Sequence, residues 1–343
     1  MSDSKDSAKT KNRSAFTQPN NSAKKASLKR GLLFLLCAFY GVFGRNGLRQ
    51  SEKRFYDMKT FKADNEFFNA RDTLESGQIF RYKSINDGFL VLSGDKACKI
   101  KDEKDGVYIT CEDSDEEYFK NYFDLAFSYA DVLKRAEESS YDVVKNAARE
   151  ARGVRILRQN SEEMIFSFII SQNNMIPRIK AIIERTAQNL GEKKSFMGEE
   201  YYSFPKTEAL ANQTPDFYYK LGYGYRADYM PSAAKSVLND EFSIFEQGLT
   251  TAELRKRLMK LKGVGPKVAD CIALFGYHRA DSFPVDTWIE KLYHEDFNGT
   301  LKDRKKITDF FLNEFGEYSG YIQQYIFYYK RSLEFRAEKA ENI

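Results

Sequence analysis

The sequence predicts an α+β fold in which an antiparallel sheet with flanking helices comes first and a helical domain follows. Three observations lead to this prediction. Short β-rich runs separated by turn residues occupy residues 79–112. From Tyr118 onward, nearly every segment places apolar residues three or four positions apart. The chain has 343 residues, 42% hydrophobic and 15% aromatic, which is enough for two domains with sizeable cores.

The β-rich region begins with "IFRYKSI" and ends with "VYITCE". Between these runs lie "FLVLSG" and "KACKIK", and the turn sequences "NDG" and "DEKDG" separate the strands. Short runs rich in β-branched and aromatic residues, divided by such turns, are typical of a meander. We therefore expect several antiparallel strands between Ile79 and Glu112.

The helical segments share an apolar face at helical spacing. They are "DVVKNAAREA", "SEEMIFSFIISQNN", "IPRIKAIIERTAQNLG", "TTAELRKRLMKL", "KVADCIALFGY", "TWIEKLYHEDF", "DRKKITDFFLNEFG" and "YIQQYIFYYKRSLEF". The insert "EKKSFMGEEYYSFPKTEALANQT" is interpreted as a longer connection. We predict a sheet domain at residues 51–150, a helical domain at residues 151–336 and a tail at residues 337–343.

Residues 1–50 are basic: they carry ten Lys and Arg against two Asp, which leaves the rest of the chain with a net charge of −4. Nucleic-acid binding by that body would depend on local basic patches and helix N-termini. The apolar run at residues 31–44 is too short to cross a bilayer but has the size of a signal-peptide core. A targeting signal, a membrane anchor, a start codon assigned too far upstream and a disordered leader with a short packed helix all fit this segment.

The cysteines and histidines form no metal-binding pattern. They are Cys37, Cys98, Cys111, Cys271, His278 and His294. This usage indicates a reducing compartment inside the cell and no structural zinc. Because no cysteine follows Cys271, the sequence also argues against an iron–sulfur cluster near the C-terminus.

The stretch "LKGVGPK" predicts a helix–hairpin–helix motif. The first helix ends at Leu-Lys, a G-x-G turn follows, and Pro266 opens the second helix, where its missing N–H does no harm. Gly263 and Gly265 let the backbone approach a phosphate, and the second helix offers free N–H groups to that phosphate. Taken alone, this motif fits equally well a hairpin that grips DNA without any chemistry.

Two charged side chains follow the hairpin at successive helix starts. Lys267 lies in the first turn of the second helix, with Cys271 one turn later on the same face. In an apolar setting beside helix N-terminal dipoles, we expect the pKa of Lys267 to fall, which would free an amine for Schiff-base chemistry. Asp286 is expected to cap the next helix, worth about 1 kcal/mol. Its carboxylate could also stabilise an electron-deficient sugar or move protons.

The order of hairpin, lysine, helix and Pro-Val-Asp resembles the helix–hairpin–helix DNA glycosylase superfamily. "GVGPKVADCIALF" and "FPVDTW" resemble its 8-oxoguanine DNA glycosylase/AP lyase branch, especially the bacterial members. The similarity spans about residues 54–335. It implies a bifunctional base-excision-repair enzyme that removes 8-oxoguanine from duplex DNA through Lys267, with assistance from Asp286, and nicks the strand by β-elimination. It implies no redox cofactor and no catalytic metal, and it is compatible with a structural cation on the hairpin carbonyls.

The same resemblance implies a pocket for the oxidised base. A Gly77 carbonyl would accept a hydrogen bond from the N7–H that 8-oxoguanine has and guanine lacks, a difference of about 1–3 kcal/mol. Gln323 would bind the Watson–Crick edge, and Phe327 would stack on one face of the base while Cys271 lies against the other. Packing in the core is the alternative role for Phe327.

Four further residues are implied to hold the opened duplex, as base extrusion requires. Asn173 would fill the gap and contact the orphan cytosine, with Arg178 beside it. Tyr225 would act as a wedge, and Arg226 would contact the cytosine as a second arginine. An Asn-capped loop and a helix start with surface Tyr and Arg are the alternative explanations for these stretches.

The sequence departs from the eukaryotic pattern at two positions. Trp288 stands where those enzymes carry a histidine, and Met175 replaces a third asparagine in "NNM". We therefore expect a relaxed choice of the base opposite the lesion. The alternatives are an endonuclease III-like enzyme, an alkylated-base glycosylase and a non-catalytic DNA-binding protein. The expected partner is duplex DNA, bound by a monomer in the cytoplasm or nucleoid.

Overall fold

The computed structural model describes residues 57–341, without the side chains of residue 335 and residues 337–341. These residues belong to one compact unit that spans Tyr56–Ile343. The predictions made for residues 1–50 lie outside the described part of the chain. Within residues 57–341, no helix is both long enough and apolar enough to cross a membrane.

Seven strands form two antiparallel sheets. The strands are β1 (Met58–Ala63), β2 (Tyr82–Ile85), β3 (Gly88–Ser93), β4 (Lys96–Glu103), β5 (Gly106–Glu112), β6 (Lys193–Phe196) and β7 (Glu199–Tyr202). The first five strands make one sheet in the order β1-β5-β4-β3-β2, and β6 pairs with β7.

Fourteen helices are described. They are α1 (Ala70–Glu75), α2 (Glu116–Tyr122), α3 (Ala130–Glu137), α4 (Asp142–Glu150), α5 (Ser161–Ser171), α6 (Ile176–Leu190), α7 (Thr207–Ala211), α8 (Pro215–Lys220), α9 (Met230–Leu238), α10 (Thr251–Leu258), α11 (Pro266–Gly276), α12 (Thr287–Asp296), α13 (Arg304–Phe315) and α14 (Ser319–Glu341). Short 3₁₀ turns occupy Asp113–Asp115, Gly224–Asp228 and Gly316–Tyr318. An antiparallel sheet followed by helices confirms the predicted α+β fold.

The predicted meander is confirmed as β2 to β5, but the sheet has a fifth strand that the sequence analysis missed. Strand β1 pairs with β5 along its whole length, from Met58 opposite Glu112 to Ala63 opposite Val107. Most β1 side chains are exposed, so the strand shows little of the inside–outside alternation that marks a half-buried strand. Its partner is also distant in sequence, which no local pattern reveals.

The insert interpreted as a longer connection contains the hairpin β6–β7. Met197 and Gly198 form its turn, and both have positive φ, which is the geometry of a type I′ turn. Phe196 and Tyr201 pack with Leu90, Leu92 and Ala97 on the sheet. The insert therefore covers one face of the β1–β5 sheet.

A buried ion pair links the sheet to the helical part. Arg81 lies 3.7 Å from Glu163 in the first turn of α5, and both side chains are almost fully buried. Glu163 also accepts a hydrogen bond from the Gly94 N–H at 2.7 Å. Burial raises the pKa of Glu163 above its ordinary value, against the opposing charge of Arg81.

Helix α5 forms the centre of the helical part because it is apolar around most of its circumference. Its residues from Glu163 to Ile170 are all buried, as expected for a helix surrounded by others. Helices α6, α9 and α11 pack around it. Since α11 carries Lys267, the proposed nucleophile is anchored on the most deeply buried part of the fold.

The boundaries of the predicted domains stay a prediction, because residues 57–341 belong to a single compact unit. Helix α14 continues to Glu341, through most of the segment set apart as a tail. It packs against α4, near the predicted end of the sheet domain. The last helix thus contacts a helix from the first half of the chain.

Candidate active site

Helices α10 and α11 form the predicted helix–hairpin–helix. A capping box between Thr250 and Glu253 begins α10. Gly263 has φ +88, and an added Cβ would lie 2.5 Å from the ring of Tyr229, so only glycine fits there. Gly265 is the N-cap of α11, has no side-chain cap, and would meet no atom within 4 Å if it carried a Cβ. The helix start is therefore open to a ligand with negative charge.

Lys267 and Asp286 meet, as the sequence analysis predicted. The Lys267 Nζ lies 3.9 Å from the Asp286 Oδ2, and both side chains are partly exposed. The two residues come from different helix starts, those of α11 and α12. An amine and a carboxylate thus share one site.

The two oxygens of Asp286 have different partners. Oδ1 accepts hydrogen bonds from the backbone N–H groups of Trp288 and Ile289, each at 3.0 Å. This confirms the predicted N-cap. Because the cap fixes the carboxyl group through Oδ1, Oδ2 is left directed toward Lys267.

The expected fall in the pKa of Lys267 is wrong. The pKa is raised above its ordinary value, mainly by the negative charge of a Cys271 thiolate, and further by Asp286, while burial opposes the rise. Burial also raises the pKa of Cys271 to about 11, so the thiol is neutral near pH 7 and Asp286 is then the charged partner. Lys267 is therefore a cation in the free protein, and its proton must leave before the amine attacks carbon.

A groove of about 590 Å³ contains this pair together with the loop after α5. Asn173, Asn174 and Met175 line one side of it, and Lys267 and Asp286 line the other. A second cavity of about 460 Å³ borders Lys267 from the hairpin side and includes Gly265. The structure thus places Asn173 across an open groove from Lys267 and Asp286.

The backbone of the Asn173 loop is tightly held. Asn173 is exposed and has φ 43, a left-handed conformation that asparagine adopts more readily than most residues. The Asn174 side chain donates to the Ile170 carbonyl at 3.2 Å and accepts from the Met175 N–H at 3.1 Å. Asn174 was noticed in the sequence but given no role, and here it braces the loop.

Arg226 also braces this loop. Its guanidinium is buried and donates to the carbonyls of Gln172 and Asn173, each at 2.9 Å. Its predicted contact with the base opposite the lesion stays a prediction, because the structure commits the guanidinium to backbone oxygens. The Tyr225 ring is half-exposed and lies 4.4 Å from the same guanidinium.

Arg178 is exposed on the first turns of α6. One of its terminal nitrogens lies 3.4 Å from the Gly222 carbonyl, at the long limit of a hydrogen bond. The side chain is therefore weakly held and close to the loop that carries Tyr225. This placement is compatible with its predicted role beside Asn173.

Gly77 lies against the ring of Phe327, and their predicted roles in a base pocket stay predictions. Gly77 has φ +90, and an added Cβ would lie 3.1 Å from the Phe327 ring and 3.6 Å from Ile176. Phe327 in turn packs edge-on against Trp288, with ring centroids 5.5 Å apart. Since the backbone N–H of Trp288 donates to Asp286, a chain of contacts joins Gly77 to the Asp286 carboxylate.

Hydrogen bonds fix the residues on both sides of Gly77. Gln324 donates to the Ser76 carbonyl at 2.7 Å. The buried Gln78 amide donates to the Arg155 carbonyl and accepts from the Leu157 N–H, each at 2.7 Å. The sequence analysis missed Gln78 and Gln324, although Gln324 shows the same signal as Gln323, a polar residue in an apolar helix pattern.

The two adjacent glutamines of α14 differ in their hydrogen bonding. Both are buried, and Gln324 is bonded to Ser76. Within the described residues, the Gln323 Oε1 is buried without any hydrogen-bond partner. A buried acceptor left unpaired is unfavourable by about 1–3 kcal/mol, so Gln323 is the member of the pair that is suited to bind a ligand.

The remaining predicted residue of the base pocket is Cys271. It is buried on α11, one turn after Lys267. Its stacking role against a base stays a prediction. Among residues 57–341, no group of three or more His, Cys, Asp or Glu side chains is placed to hold a metal ion.

The amino-acid sequence is similar to those of known DNA glycosylases. Residues 60–165 match the family model described as the N-terminal domain of 8-oxoguanine DNA glycosylase. A probable N-glycosylase/DNA lyase of Methanothermobacter thermautotrophicus is 30% identical over 230 residues, which cover 61% of this chain and 72% of the relative.

Solved structures are similar over nearly the whole described chain. The 8-oxoguanine glycosylase/lyase of Clostridium acetobutylicum in its apo form is 32% identical, with a TM-score of 0.73 over 80% of this chain and 99% of that one. The same enzyme bound to double-stranded DNA with cytosine opposite 8-oxoguanine gives a TM-score of 0.74 over 81% and 99% of the two chains, at 32% identity.

Proposed function

We propose the function of this chain from one premise: it belongs to the 8-oxoguanine DNA glycosylase/lyase family of the helix–hairpin–helix DNA glycosylase superfamily. It is an N-glycosylase with AP lyase activity that acts on 8-oxoguanine in base-excision repair. Family membership favours this function over the endonuclease III-like, alkylated-base and non-catalytic alternatives. The residues that perform the reaction are the subject of the proposal.

In the first step, the Lys267 amine attacks C1′ of the extruded nucleotide. Lys267 must first lose its proton, and the Asp286 carboxylate at 3.9 Å is the group placed to accept it. The bond between C1′ and the base nitrogen then breaks, and the base leaves with the bonding electrons and takes up a proton. Asp286 passes this proton on to the departing base, and the carboxylate that is restored stabilises the electron-deficient sugar.

In the second step, the C1′–O4′ bond of the lysine–sugar adduct breaks. The nitrogen lone pair forms the C=N bond of a Schiff base, and O4′ takes up the proton that the nitrogen loses. The imine acidifies the C2′ proton, whose removal to a base expels the 3′ phosphate by β-elimination and nicks the strand 3′ to the lesion. Water then hydrolyses the imine and regenerates the Lys267 amine. No step changes an oxidation state overall, so the reaction needs neither an oxidant nor a reductant.

The observation that carries this mechanism is that the two carboxylate oxygens of Asp286 have different partners. Its Oδ1 is fixed by two backbone N–H groups, which holds Oδ2 toward Lys267 without a flexible intermediary. Such pre-positioning lowers the entropic part of a barrier. A helix cap alone would not require an amine at its second oxygen.

Selection of the oxidised base is proposed to occur between Gly77 and α14. Gln323 offers a buried acceptor that is unpaired in the part of the chain that the structure describes, and Phe327 offers a ring against the Gly77 backbone. The Gly77 carbonyl would accept from N7–H, and Cys271 would lie against the second face of the base. Guanine lacks that donor and would leave the acceptor unpaired.

The DNA backbone is proposed to lie on the hairpin and the groove. Gly263 and Gly265 would admit a phosphate to the start of α11, and Asn173, Arg178, Tyr225 and Arg226 would hold the opened duplex. We further propose that a monomer performs the reaction inside the cell, in the cytoplasm or nucleoid. Solved relatives in complex with DNA support duplex DNA as the partner.

The proposal is tested by Asp286→Asn in single-turnover assays on a duplex with 8-oxoguanine opposite cytosine. Asparagine caps a helix as well as aspartate does, so the melting temperature should stay within about 2 °C of that of the unmodified protein. Loss of the carboxylate should slow base release by about 10²–10⁴-fold.

Asp303→Asn is the matched control, because Asp303 caps α13 through the Lys306 N–H in the same way and is exposed. Its rate of base release should equal that of the unmodified protein. A full rate for Asp286→Asn would remove Asp286 from the mechanism.

A further inference from the structure

Met175 is a large apolar side chain in an unusual position. It is 75% exposed, more than the other described large hydrophobics, the next being Met197 at 57%. It lies two residues after Asn173 and lines the groove that contains Lys267 and Asp286. Together with Tyr225, which is 47% exposed beside the same loop, Met175 adds apolar surface to the edge of this groove, and such surface marks a binding site.

In the described part of the chain, the Met175 side chain neither caps its helix nor packs in the core. Met175 is the N-cap of α6, where Ser, Thr, Asn or Asp would bond the free N–H groups, and its side chain makes no cap bond. With three-quarters of its surface exposed, it adds little to the core. Neither helix formation nor packing explains a methionine here.

The backbone under Met175 is nevertheless fixed. Asn174 accepts from the Met175 N–H and donates to the Ile170 carbonyl. Arg226 holds the carbonyls of Gln172 and Asn173. The protein therefore presents an apolar side chain outward from a rigid support, which reduces the entropy lost when that side chain binds.

The surroundings of Met175 match the chemistry of a duplex. Tyr225, 47% exposed, lies beside the same loop, and its hydroxyl is 3.4 Å from the Gln172 carbonyl. Arg178, also exposed, follows three residues after Met175. Apolar side chains for base faces, next to a cation for phosphates, are the combination with which proteins unstack DNA.

We propose that Met175 is a DNA-intercalating residue: its thioether enters the base stack next to the nucleotide that leaves the helix, and keeps the duplex open. This role rests on the proposed function, since it serves base extrusion at the same groove. Met175 fits between bases, whereas the polar Asn173 fills the space of the extruded base. The two residues thus divide the work of holding the gap.

An intercalating thioether should not affect the preference for the base opposite the lesion. It offers no strong hydrogen bond to a base edge, so it favours extrusion equally for any base opposite the lesion. Replacing Met175 should therefore slow the reaction by one common factor with cytosine, thymine or adenine opposite 8-oxoguanine. Changes at a residue that reads base edges would instead alter the ranking of these three duplexes.

The first measurement uses duplexes that carry a stable abasic analogue and 2-aminopurine at one neighbouring position in either strand. The fluorescence of 2-aminopurine increases when it is unstacked. Unmodified protein should raise the fluorescence at one of these positions, Met175→Ala should lose most of that rise, and Met175→Leu should keep it. Met197→Ala is the matched control, because Met197 is an exposed methionine in the β6–β7 turn.

The second measurement is single-turnover base release. Met175→Ala should be about ten-fold slower on a fully paired duplex, as expected for the loss of one buried apolar side chain. The defect should disappear when mismatches flank the lesion, because the neighbouring bases are then already unstacked. Met175→Leu should restore the rate, because leucine also supplies a large apolar side chain. If the reaction required the sulfur atom or the loop conformation that methionine gives, leucine would not restore the rate.

Three results would overturn the intercalation of Met175. They are an unchanged fluorescence pattern in Met175→Ala, a rate defect that persists on the mismatched duplex, and a defect in Met175→Leu as large as that in Met175→Ala. Failure of the proposed function is a different result: the unmodified protein would then release no base from any duplex. The fluorescence test needs binding but no chemistry, so it separates the two.

Discussion

At the scale of single residues, the site combines polar atoms that are hydrogen-bonded within the protein with neighbouring polar atoms that are left for a ligand. Asp286 caps α12 through Oδ1 and faces Lys267 through Oδ2. Among the buried glutamines of α14, Gln324 is bonded, whereas the Gln323 Oε1 has no hydrogen-bond partner among residues 57–341. Spacing in the sequence predicted that Lys267 and Asp286 share a site, and the family resemblance implied a role for Gln323. Spacing did not reveal which glutamine is structural, since both share the same pattern.

The sign of the Lys267 pKa shift shows a second limit of sequence reasoning at this scale. A lysine at a helix start suggests a lowered pKa, because the helix dipole and burial both disfavour the cation. Near pH 7 the Cys271 thiol is neutral, and in the structure the interactions of Lys267 with Cys271 and Asp286 together outweigh burial. Their distances from Nζ depend on how α11 and α12 pack, which one-dimensional spacing does not give.

A prediction at the residue scale concerns Asp270, the neighbour of Cys271. Burial raises its pKa from 3.8 to about 6, although Arg255 lies 2.5 Å away. A carboxyl group with a raised pKa stabilises the fold at low pH, and this stability is lost as the pH rises through about 6. Between pH 4 and pH 6.5, Asp270→Asn should therefore gain on the order of 2 kcal/mol in free energy of unfolding relative to the unmodified protein.

Chemical denaturation of both proteins across this range checks the sign. Asp124 provides the contrast: burial alone would raise its pKa, but His278 and Arg158 hold it below its ordinary value. Asp124→Asn should therefore lose stability relative to the unmodified protein as the pH rises from 3 to 5. A difference for Asp270→Asn that is flat with pH, or that falls, would refute the assignment.

At the scale of elements, the sequence predicted those helices, strands and turns whose formation depends on residues close together in the chain. The meander β2–β5 and the hairpin between α10 and α11 were predicted because turn residues and apolar periods lie close together in the chain. Strand β1 was missed because its partner β5 is distant and its side chains are mostly exposed. The β6–β7 hairpin was missed although "MG" supplies its turn, because the strands have only four residues each.

A prediction at the element scale separates the two hairpin glycines. Gly263→Ala should destabilise the fold by at least about 1–2 kcal/mol, because a Cβ at φ +88 would lie 2.5 Å from Tyr229. Gly265 has φ −89 and open space around it, so Gly265→Ala should leave the free energy of unfolding nearly unchanged. The methyl group would nevertheless stand where a phosphate approaches.

Denaturation curves and DNA titrations of the two variants test this separation. Gly265→Ala should bind duplex DNA several-fold more weakly at unchanged stability. If Gly265→Ala binds DNA with the affinity of the unmodified protein, the start of α11 does not contact the backbone closely.

At the scale of the whole molecule, the sheet and the helical part behave as one unit joined by buried polar contacts. Arg81 and Glu163 form an ion pair across the boundary, and Gln324 of α14 holds the Ser76 carbonyl beside Gly77. The position of Gly77 relative to Lys267 therefore depends on contacts between distant segments. The α+β class was predictable from sequence, whereas these contacts were not, since each partner alone appears as an ordinary polar residue.

A prediction at this scale is that the Arg81–Glu163 pair is strongly coupled. Glu163→Ala should destabilise the fold by about 3–5 kcal/mol, because it leaves Arg81 buried without its opposite charge. The double variant Arg81→Ala/Glu163→Ala should lose clearly less than the sum of the two single losses. Denaturation of the four proteins gives the coupling free energy.

Asp309→Ala is the control for this cycle, since Asp309 pairs with Lys305 on the exposed surface of α13. Its free energy of unfolding should change little, as for most exposed pairs. Additive losses at Arg81 and Glu163 would mean that the pair does not join the two parts.

The central claim is that the amine of Lys267 bonds covalently to the damaged nucleotide. It is tested most directly by borohydride trapping on a duplex with 8-oxoguanine opposite cytosine, beside undamaged and thymine-glycol duplexes, with Lys267→Gln as the control. We predict a covalent protein–DNA product with the 8-oxoguanine duplex alone, and none with Lys267→Gln. Trapping by Lys267→Gln, or binding to the 8-oxoguanine duplex without any trapped product, would contradict the account.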